Sequence, residues 1–475
     1  MAGIKTVAAR GWQAKHLASN EVHDQLNARG AQCGEPWIRE SDVQRDNPSR
    51  SRICGALRGL PQQGGGRPGI RVRLDGGAYQ SKSQGLSTVQ KIKYAQNIGD
   101  LRQLARRALP RGLFEFVDRG TEDEVALTAI RSAFEAIKFL PRVLSDVSQR
   151  TQATTFFGKP SSMPLAIAPT GAAGLLYLDG EIAVARAAAK AGIPFTLSTA
   201  SIVPMERVAQ EAGGTLWFQL YMWPDKDMSF RLVDRARRAG YEALIVTVDG
   251  AAPPNREYNV HNGFTIPISI NRRNAIDVAL SPAWLCSVFI PYLLRFGIPA
   301  FENYPEELRK KFTTPAGQGY VMPRNDSLTW DDLRLLRKKW DGPLMLKGVL
   351  HPEDAAMAVD CGVDAVIVSS HGGRNFDSAL PPIQALSRIV ERINGKAAVF
   401  LDSGIQRGSD VVKALTLGAT GAFAGRAALW GVAAGGEEGS ARAIAILRDE
   451  IQRSLGFLGC ANLAQLLTTD IIAES

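Results

Sequence analysis

Eight short apolar runs recur between residues 164 and 426, and amphipathic stretches separate most of them. The runs are PLAIAPT (164–170), PFTLSTA (194–200), TLWFQLY (215–221), ALIVTVD (243–249), PLMLKGV (343–349), AVIVSSH (365–371), AVFLDSG (398–404) and GAFAGR (421–426). Between them lie EIAVARAAAKAG, MERVAQEAG, FRLVDRARRAG, PEDAAMAVDCG and SDVVKALTLG, whose apolar residues repeat at helical spacing. Most close on glycine, which tolerates the left-handed backbone at a helix end. Apolar runs too short for helices read as strands buried on both faces. Eight strand–helix units predict an α/β fold, a (β/α)8 TIM barrel, with a doubly wound sheet as the alternative.

Composition narrows the class. With 45% hydrophobic and 22% charged residues, the 475-residue chain has enough apolar surface for a large core. The formal charge of +9 is concentrated at the start, where residues 1–85 hold 13 Lys/Arg against 7 Asp/Glu. The remaining 390 residues carry a surplus of only 3, without a basic helix or interleaved aromatics, so nucleic acid is not the expected partner. Residues 1–85 (GLPQQGGGRPGIR within them) lack sustained periodicity and read as a disordered or loosely attached extension to a barrel domain spanning 86–475. The five cysteines and five histidines show neither a disulfide framework nor metal-ligand spacing, so reduced thiols and no metal are expected. No uncharged run of 18 residues reads as spanning a bilayer.

One connection is far too long. Between the fourth and fifth runs, residues 255–328 form an insertion that includes SPAWLCSVFIPYLLRFGIPAF (281–301). Pro282, Pro291, Pro299 and Arg295 argue against a spanning helix. Apolar and aromatic residues beside Arg272, Arg273 and Arg295 suit a membrane interface through 279–301, and a lid or oligomer contact fits equally.

A barrel places its active site at the strand C-termini, and polar groups collect there. Thr170, Ser198, Gln219, Tyr221, Thr247, Asp249, Lys347, Ser369, His371, Asp402 and Arg426 all end apolar runs. Lys347 and Asp402 adjoin buried strands, where a charge needs a partner or a ligand. In VIVSSHGGRNFD (366–377) the glycines let His371 and Arg374 face one cavity, pairing a base with an anion clamp.

At these residues the chain resembles the FMN-dependent 2-hydroxy acid dehydrogenases and oxidases. The likeness runs from about residue 90 to 470, through IAPTG (167–171), FQLY (218–221), TVD (247–249), LKGV (346–349), SSHGGR (369–374), LDSGIQRGSD (401–410) and GR (425–426). EYNVHNGFTIPIS followed by SPAWL looks most like membrane-associated mandelate and L-lactate dehydrogenases. The resemblance implies FMN as cofactor and oxidation of an L-2-hydroxy acid to its 2-oxo acid. It makes His371 the base and Asp249 its partner. Arg256, Arg374 and Tyr221 would bind the substrate carboxylate, and Lys347 would sit near N1 and O2 of the flavin. Pro169, Thr170, Gly171, Ser198, Gln219 and Thr247 would hold the isoalloxazine and ribityl chain. Asp402, Ser403, Gly404, Gln406, Gly425 and Arg426 would hold the ribityl and phosphate end. Whether the proton leaves the hydroxyl or the α-carbon stays open.

Four positions depart from the family pattern. Phe116 stands where a carboxylate-binding tyrosine is usual, Ser370 replaces asparagine and Asn375 replaces glutamine. Gln406 replaces the first arginine of the phosphate turn, which removes a charge-assisted bond of about 1.5–3 kcal/mol and predicts weaker FMN retention. Ala200, where some short-chain oxidases carry tryptophan, predicts a side chain such as that of lactate, mandelate or a bulkier acid. Quinone or oxygen is the expected electron acceptor, and a homo-oligomer, tetrameric in the resembling family, is expected. The expected location is cytoplasmic, with peripheral contact to the inner face of the cytoplasmic membrane. Competing readings are a family member acting on a modified peptide or amine, and a degenerate barrel that binds flavin without turnover.

Overall fold

The computed structural model describes residues 88–264, 271–313, 326–468 and 472–474. The extension expected over 1–85 lies outside the described residues, as do 265–270 and 314–325 of the insertion. Strands β1 (Leu165–Thr170), β2 (Phe195–Ser198), β3 (Leu216–Leu220), β4 (Ala243–Thr247), β5 (Leu344–Val349), β6 (Ala365–Val368), β7 (Ala398–Leu401) and β8 (Gly421–Ala424) pair in parallel and close into a barrel, β8 beside β1. The doubly wound alternative is excluded. Helices α1 (Gly180–Ala191), α2 (Met205–Ala212), α3 (Lys226–Arg238), α4 (Trp330–Lys339), α5 (Pro352–Asp360), α6 (Pro382–Ile393), α7 (Gly408–Thr416) and α8 (Arg426–Leu458) follow the strands. Most strands stop short of their apolar runs because the polar residues that end those runs turn out into loops.

Side chains alternate between two cores, as a period of two requires. Ala166, Trp217, Ile245, Met345, Ile367, Phe400 and Phe423 fill the barrel interior, while Leu165, Phe218, Leu244, Leu346, Val366 and Leu401 face the helices. Phe156, from the hairpin Thr154–Phe156 and Lys159–Ser161, plugs the interior against Trp217 and Phe400 at 6.1 and 5.2 Å. Truncating Trp217 would cost about 3–5 kcal/mol.

The register sets the site. Ser198 lies beside Gln219, and Thr247 beside Lys347, across neighbouring strands. Of the described helices that precede the barrel, three wall its upper end: Ile98–Ala108, Arg111–Asp118 and Val125–Ala136. Two of them lack a side-chain cap of their own and are capped from afar. Asp277 of the insertion accepts the N–H groups of Arg111 and Gly112 at 2.7 and 2.8 Å. Asp377 accepts those of Val125 and Ala126 at 3.1 and 3.0 Å. Each carboxylate meets the positive end of a helix.

Within the insertion, Arg272–Ala279 is followed by a continuous helical stretch, Pro282–Trp284, a π-turn at Leu285–Phe289 and Ile290–Phe296. Trp284 donates to the Leu175 carbonyl at 2.8 Å and Tyr292 to that of Ile202 at 3.3 Å, which moors one face on the barrel. Ile276, Leu280, Ile290, Leu294, Phe296 and Ile298 stay exposed. No single described helix is long and apolar enough to cross a membrane; the two insertion helices pass that test only as a pair bent by 81°.

Candidate active site

A cavity of about 1780 Å³ opens at the C-terminal ends of the strands. Pockets for one drug-sized ligand hold about 300–1,000 Å³, so this one has room for a cofactor and a substrate together. Nearly all the residues singled out from sequence line it: Phe116, Pro169, Thr170, Gly171, Ser198, Tyr221, Arg256, Lys347, His371, Arg374, Asp402, Ser403, Gly404, Gln406, Gly425 and Arg426. Gln219, Thr247 and Asp249 stand just behind this wall.

The imidazole of His371 is fixed at both ends. Its Nδ1 lies 2.9 Å from Asp249 Oδ1, and its Nε2 lies 3.5 Å from the Tyr221 hydroxyl. Burial pushes the Asp249 carboxyl up, but the facing His371 charge and hydrogen bond hold it below the usual carboxylate range. Burial, then the Asp249 charge, push the Tyr221 phenol up to about 12, so it stays a proton donor. Asn375 donates to the Asp249 carbonyl at 2.8 Å and braces the same loop. The shorter amide at 375 therefore still reaches a partner.

Four of the cationic groups lining the cavity are those singled out from sequence, and among the described residues only one of these four has a carboxylate against it. Lys347 is 3% exposed, with Nζ 3.0 Å from both Asp402 Oδ2 and Ser369 Oγ. Burial opposes its charge, yet Asp402 and then Asp249 hold its pKa above the ordinary lysine value. Arg256 has an Nε shielded from solvent and without a partner among the described residues. Burial first, then the Arg374 charge, lower it to about 10. Arg374 donates to the Arg119 carbonyl at 2.9 Å and packs its guanidinium over the Phe116 ring at 5.4 Å. Arg426 donates to the carbonyls of Gly372, Val117 and Arg119 at 2.8, 3.1 and 3.1 Å; burial and Arg374 lower it to about 9. Unmatched guanidinium groups held this close disfavour their own charge and so favour an anion between them.

The donors also fit a flavin mononucleotide. Gln219 Nε2, Thr247 Oγ1 and Ser370 Oγ are buried without a partner among the described residues, an arrangement that leaves polar atoms for a ring with its own donors and acceptors. Lys347 supplies a buried cation on the same side. Gly425 starts α8 without a side-chain cap, leaving first-turn N–H groups to receive a phosphate after strand eight. Gln406 lines that end, whereas Arg407 turns away to Glu450 at 2.7 Å. The nearby guanidinium of Arg131 is already tied to Asp410 and the Gly404 carbonyl at 2.8 and 3.0 Å. No described cluster of His, Cys, Asp or Glu could hold a metal ion.

Sequence reasoning missed some of the wall. Phe301 and Tyr304 reach the cavity from the insertion, stacked with ring centroids 4.9 Å apart, and Ala200 and Leu280 line it too. Ser369 bonds Lys347, Asp402 and the His371 N–H, a hub that its place at a strand end only hinted at.

A parallel barrel with a buried lysine, an imidazole–carboxylate pair and unmatched arginines at its strand ends defines a flavin-binding α/β-barrel oxidoreductase. Over residues 105–473 the chain matches the family described as FMN-dependent dehydrogenase, and it belongs to that family. It is 39% identical over 372 residues to the (S)-mandelate dehydrogenase of Pseudomonas putida, covering 78% of this chain and 92% of that one. It is likewise 39% identical over 378 residues to the L-lactate oxidase of a Nostoc species, covering 78% and 97%. Among solved structures, the monotopic membrane protein (S)-mandelate dehydrogenase superposes with a TM-score of 0.73 at 37% identity, covering 80% of this chain and all of that one.

Proposed function

We propose that this protein oxidises an L-2-hydroxy acid with an apolar side chain to the 2-oxo acid, with His371 as the base. The observation that carries the proposal is Arg256, a partly buried guanidinium with no counter-ion among the described residues, next to Arg374 and the His371–Asp249 pair. Two cations fit a carboxylate, and the imidazole beside them takes a proton from the group attached to it. Asp249 then faces the imidazolium and stabilises it, while the Tyr221 hydroxyl donates to the substrate. Bound FMN supplies the two-electron acceptor. Lys347 would supply the positive charge that stabilises the negative charge of the reduced ring. Ala200, Phe301 and Tyr304 give the cavity wall small and aromatic surface, which favours a side chain of lactate size or larger, mandelate among them.

The exposed apolar residues of 276–298, flanked by Arg272, Arg273 and Arg295, support peripheral membrane contact and a membrane quinone as acceptor. Oxygen is the second reading, favoured by the L-lactate oxidase relative. The test of carboxylate recognition compares (S)-mandelate with its amide under anaerobic conditions. A loss of tenfold or more in the rate of flavin reduction per mole of amide is expected; equal rates would remove the role given to the arginines.

A further inference from the structure

The backbone from Ser369 to Arg374 makes a left-handed turn. His371, Gly372 and Gly373 adopt φ of 56°, 68° and 69°. Glycine enters that region freely, but histidine does so against the clash of its own Cβ. Such a conformation persists only where surrounding bonds hold it. Serine hydroxyls provide three of them, beside the bonds from the Gly373 N–H to the Ser370 carbonyl, from the Thr121 N–H to the Gly373 carbonyl and from Arg426 to the Gly372 carbonyl. Ser369 Oγ accepts the His371 N–H at 3.1 Å, and Ser403 Oγ accepts the N–H groups of Ser370 and Gly372 at 3.2 and 2.9 Å.

Ser403 lies on the loop after β7, 5% exposed, and is itself at φ 86°. Glycine would suit that backbone better, so what serine adds there is its hydroxyl. We propose that Ser403 is a positioning residue: by holding the turn at 370 and 372 it fixes the direction from which the His371 imidazole meets Asp249 and the cavity. Its Oγ also lies 3.5 Å from Ser369 Oγ, joining the turn to the Lys347–Asp402 pair beneath it. The proposal rests on the reading of His371 as the base.

Two variants of the flavin-loaded enzyme separate its parts. Ser403→Gly removes the hydroxyl and relieves the backbone, whereas Ser403→Ala removes the hydroxyl and keeps the strain. The readouts are hydrogen–deuterium exchange of the peptide spanning 369–375, kcat and KM for the best acid, and flavin content. Both variants are expected to exchange the 370 and 372 amides at least tenfold faster. With FMN saturating, their kcat should fall about tenfold with KM within twofold, and Ser403→Gly should melt no lower than Ser403→Ala. Unchanged exchange in Ser403→Gly would overturn the proposal. So would a kcat loss that added FMN restores, which would make Ser403 a cofactor contact. A wild-type enzyme that oxidises no 2-hydroxy acid would instead overturn the reading of the site, and the exchange rates would still decide whether Ser403 holds the turn.

Discussion

Replacing Arg256 with methionine should stabilise the substrate-free protein while crippling its activity. Methionine keeps the length of the side chain and removes the charge. At about 10 against an ordinary 12.5, the guanidinium pKa means that folding disfavours the charged form by about 3 kcal/mol at most. The sign follows from the depressed value: at neutral pH, well below both, the whole penalty is present, and it fades only as the pH rises through the folded value. Because Arg256 is only partly buried, solvent screening reduces this to roughly half, about 1.5 kcal/mol. For a domain of about 390 residues that corresponds to a rise in Tm of about 2 °C. The same substitution removes a charge-assisted bond to the substrate carboxylate of about 1.5–3 kcal/mol, or about 10- to 150-fold in kcat/KM. Scanning calorimetry without substrate and stopped-flow flavin reduction measure the two effects. A Tm that falls by several degrees while kcat/KM stays unchanged would refute the reasoning, since it would make Arg256 a structural cation with a partner.

Further consequences are as direct. Gln406→Arg should tighten FMN binding at least tenfold by restoring a cation at the phosphate end, measured by flavin fluorescence on dilution; an unchanged dissociation constant would mean that Arg131 or the α8 N-terminus already suffices. Asp249→Asn should lower the rate of flavin reduction about 100-fold or more with flavin still bound, because the imidazolium loses its facing charge; single-turnover kinetics decide this. Ile276→Asp with Leu294→Asp, both exposed and outside the cavity wall, should shift the protein from vesicles to the soluble phase in a sedimentation assay without changing reduction by substrate. Although burial pushes Asp402 up, Lys347 holds its carboxyl below the usual range, so its stabilising contribution is complete above about pH 4 and disappears as pH falls through its lower folded value. Acid release of flavin should accordingly begin below pH 4, and Lys347→Met should move it to higher pH.

The barrel was legible because each strand is buried on both faces and so appears as an uninterrupted apolar run. Its polar ends were legible for a related reason: a charge such as Lys347 directly after PLML has no place in a core. The His371–Asp249 pair came from recognised motifs, since nothing local joins residues 122 positions apart. The same distance hid Asp277, which caps a helix beginning 166 positions earlier, and the stacked Phe301 and Tyr304, whose segment read only as apolar. Phe116 read as a lost hydroxyl; in the fold its ring gives Arg374 a face to lie against. The left-handed backbone at Ser403 left no trace, because serine is the wrong residue to announce it.

The most direct test is an anaerobic titration of the purified flavoprotein with (S)-mandelate, (S)-lactate and longer 2-hydroxy acids, following the visible flavin band and assaying the product. The account expects at least one acid to bleach the band with one equivalent of 2-oxo acid formed per flavin. An oxidised flavin that none of these acids bleaches would contradict it.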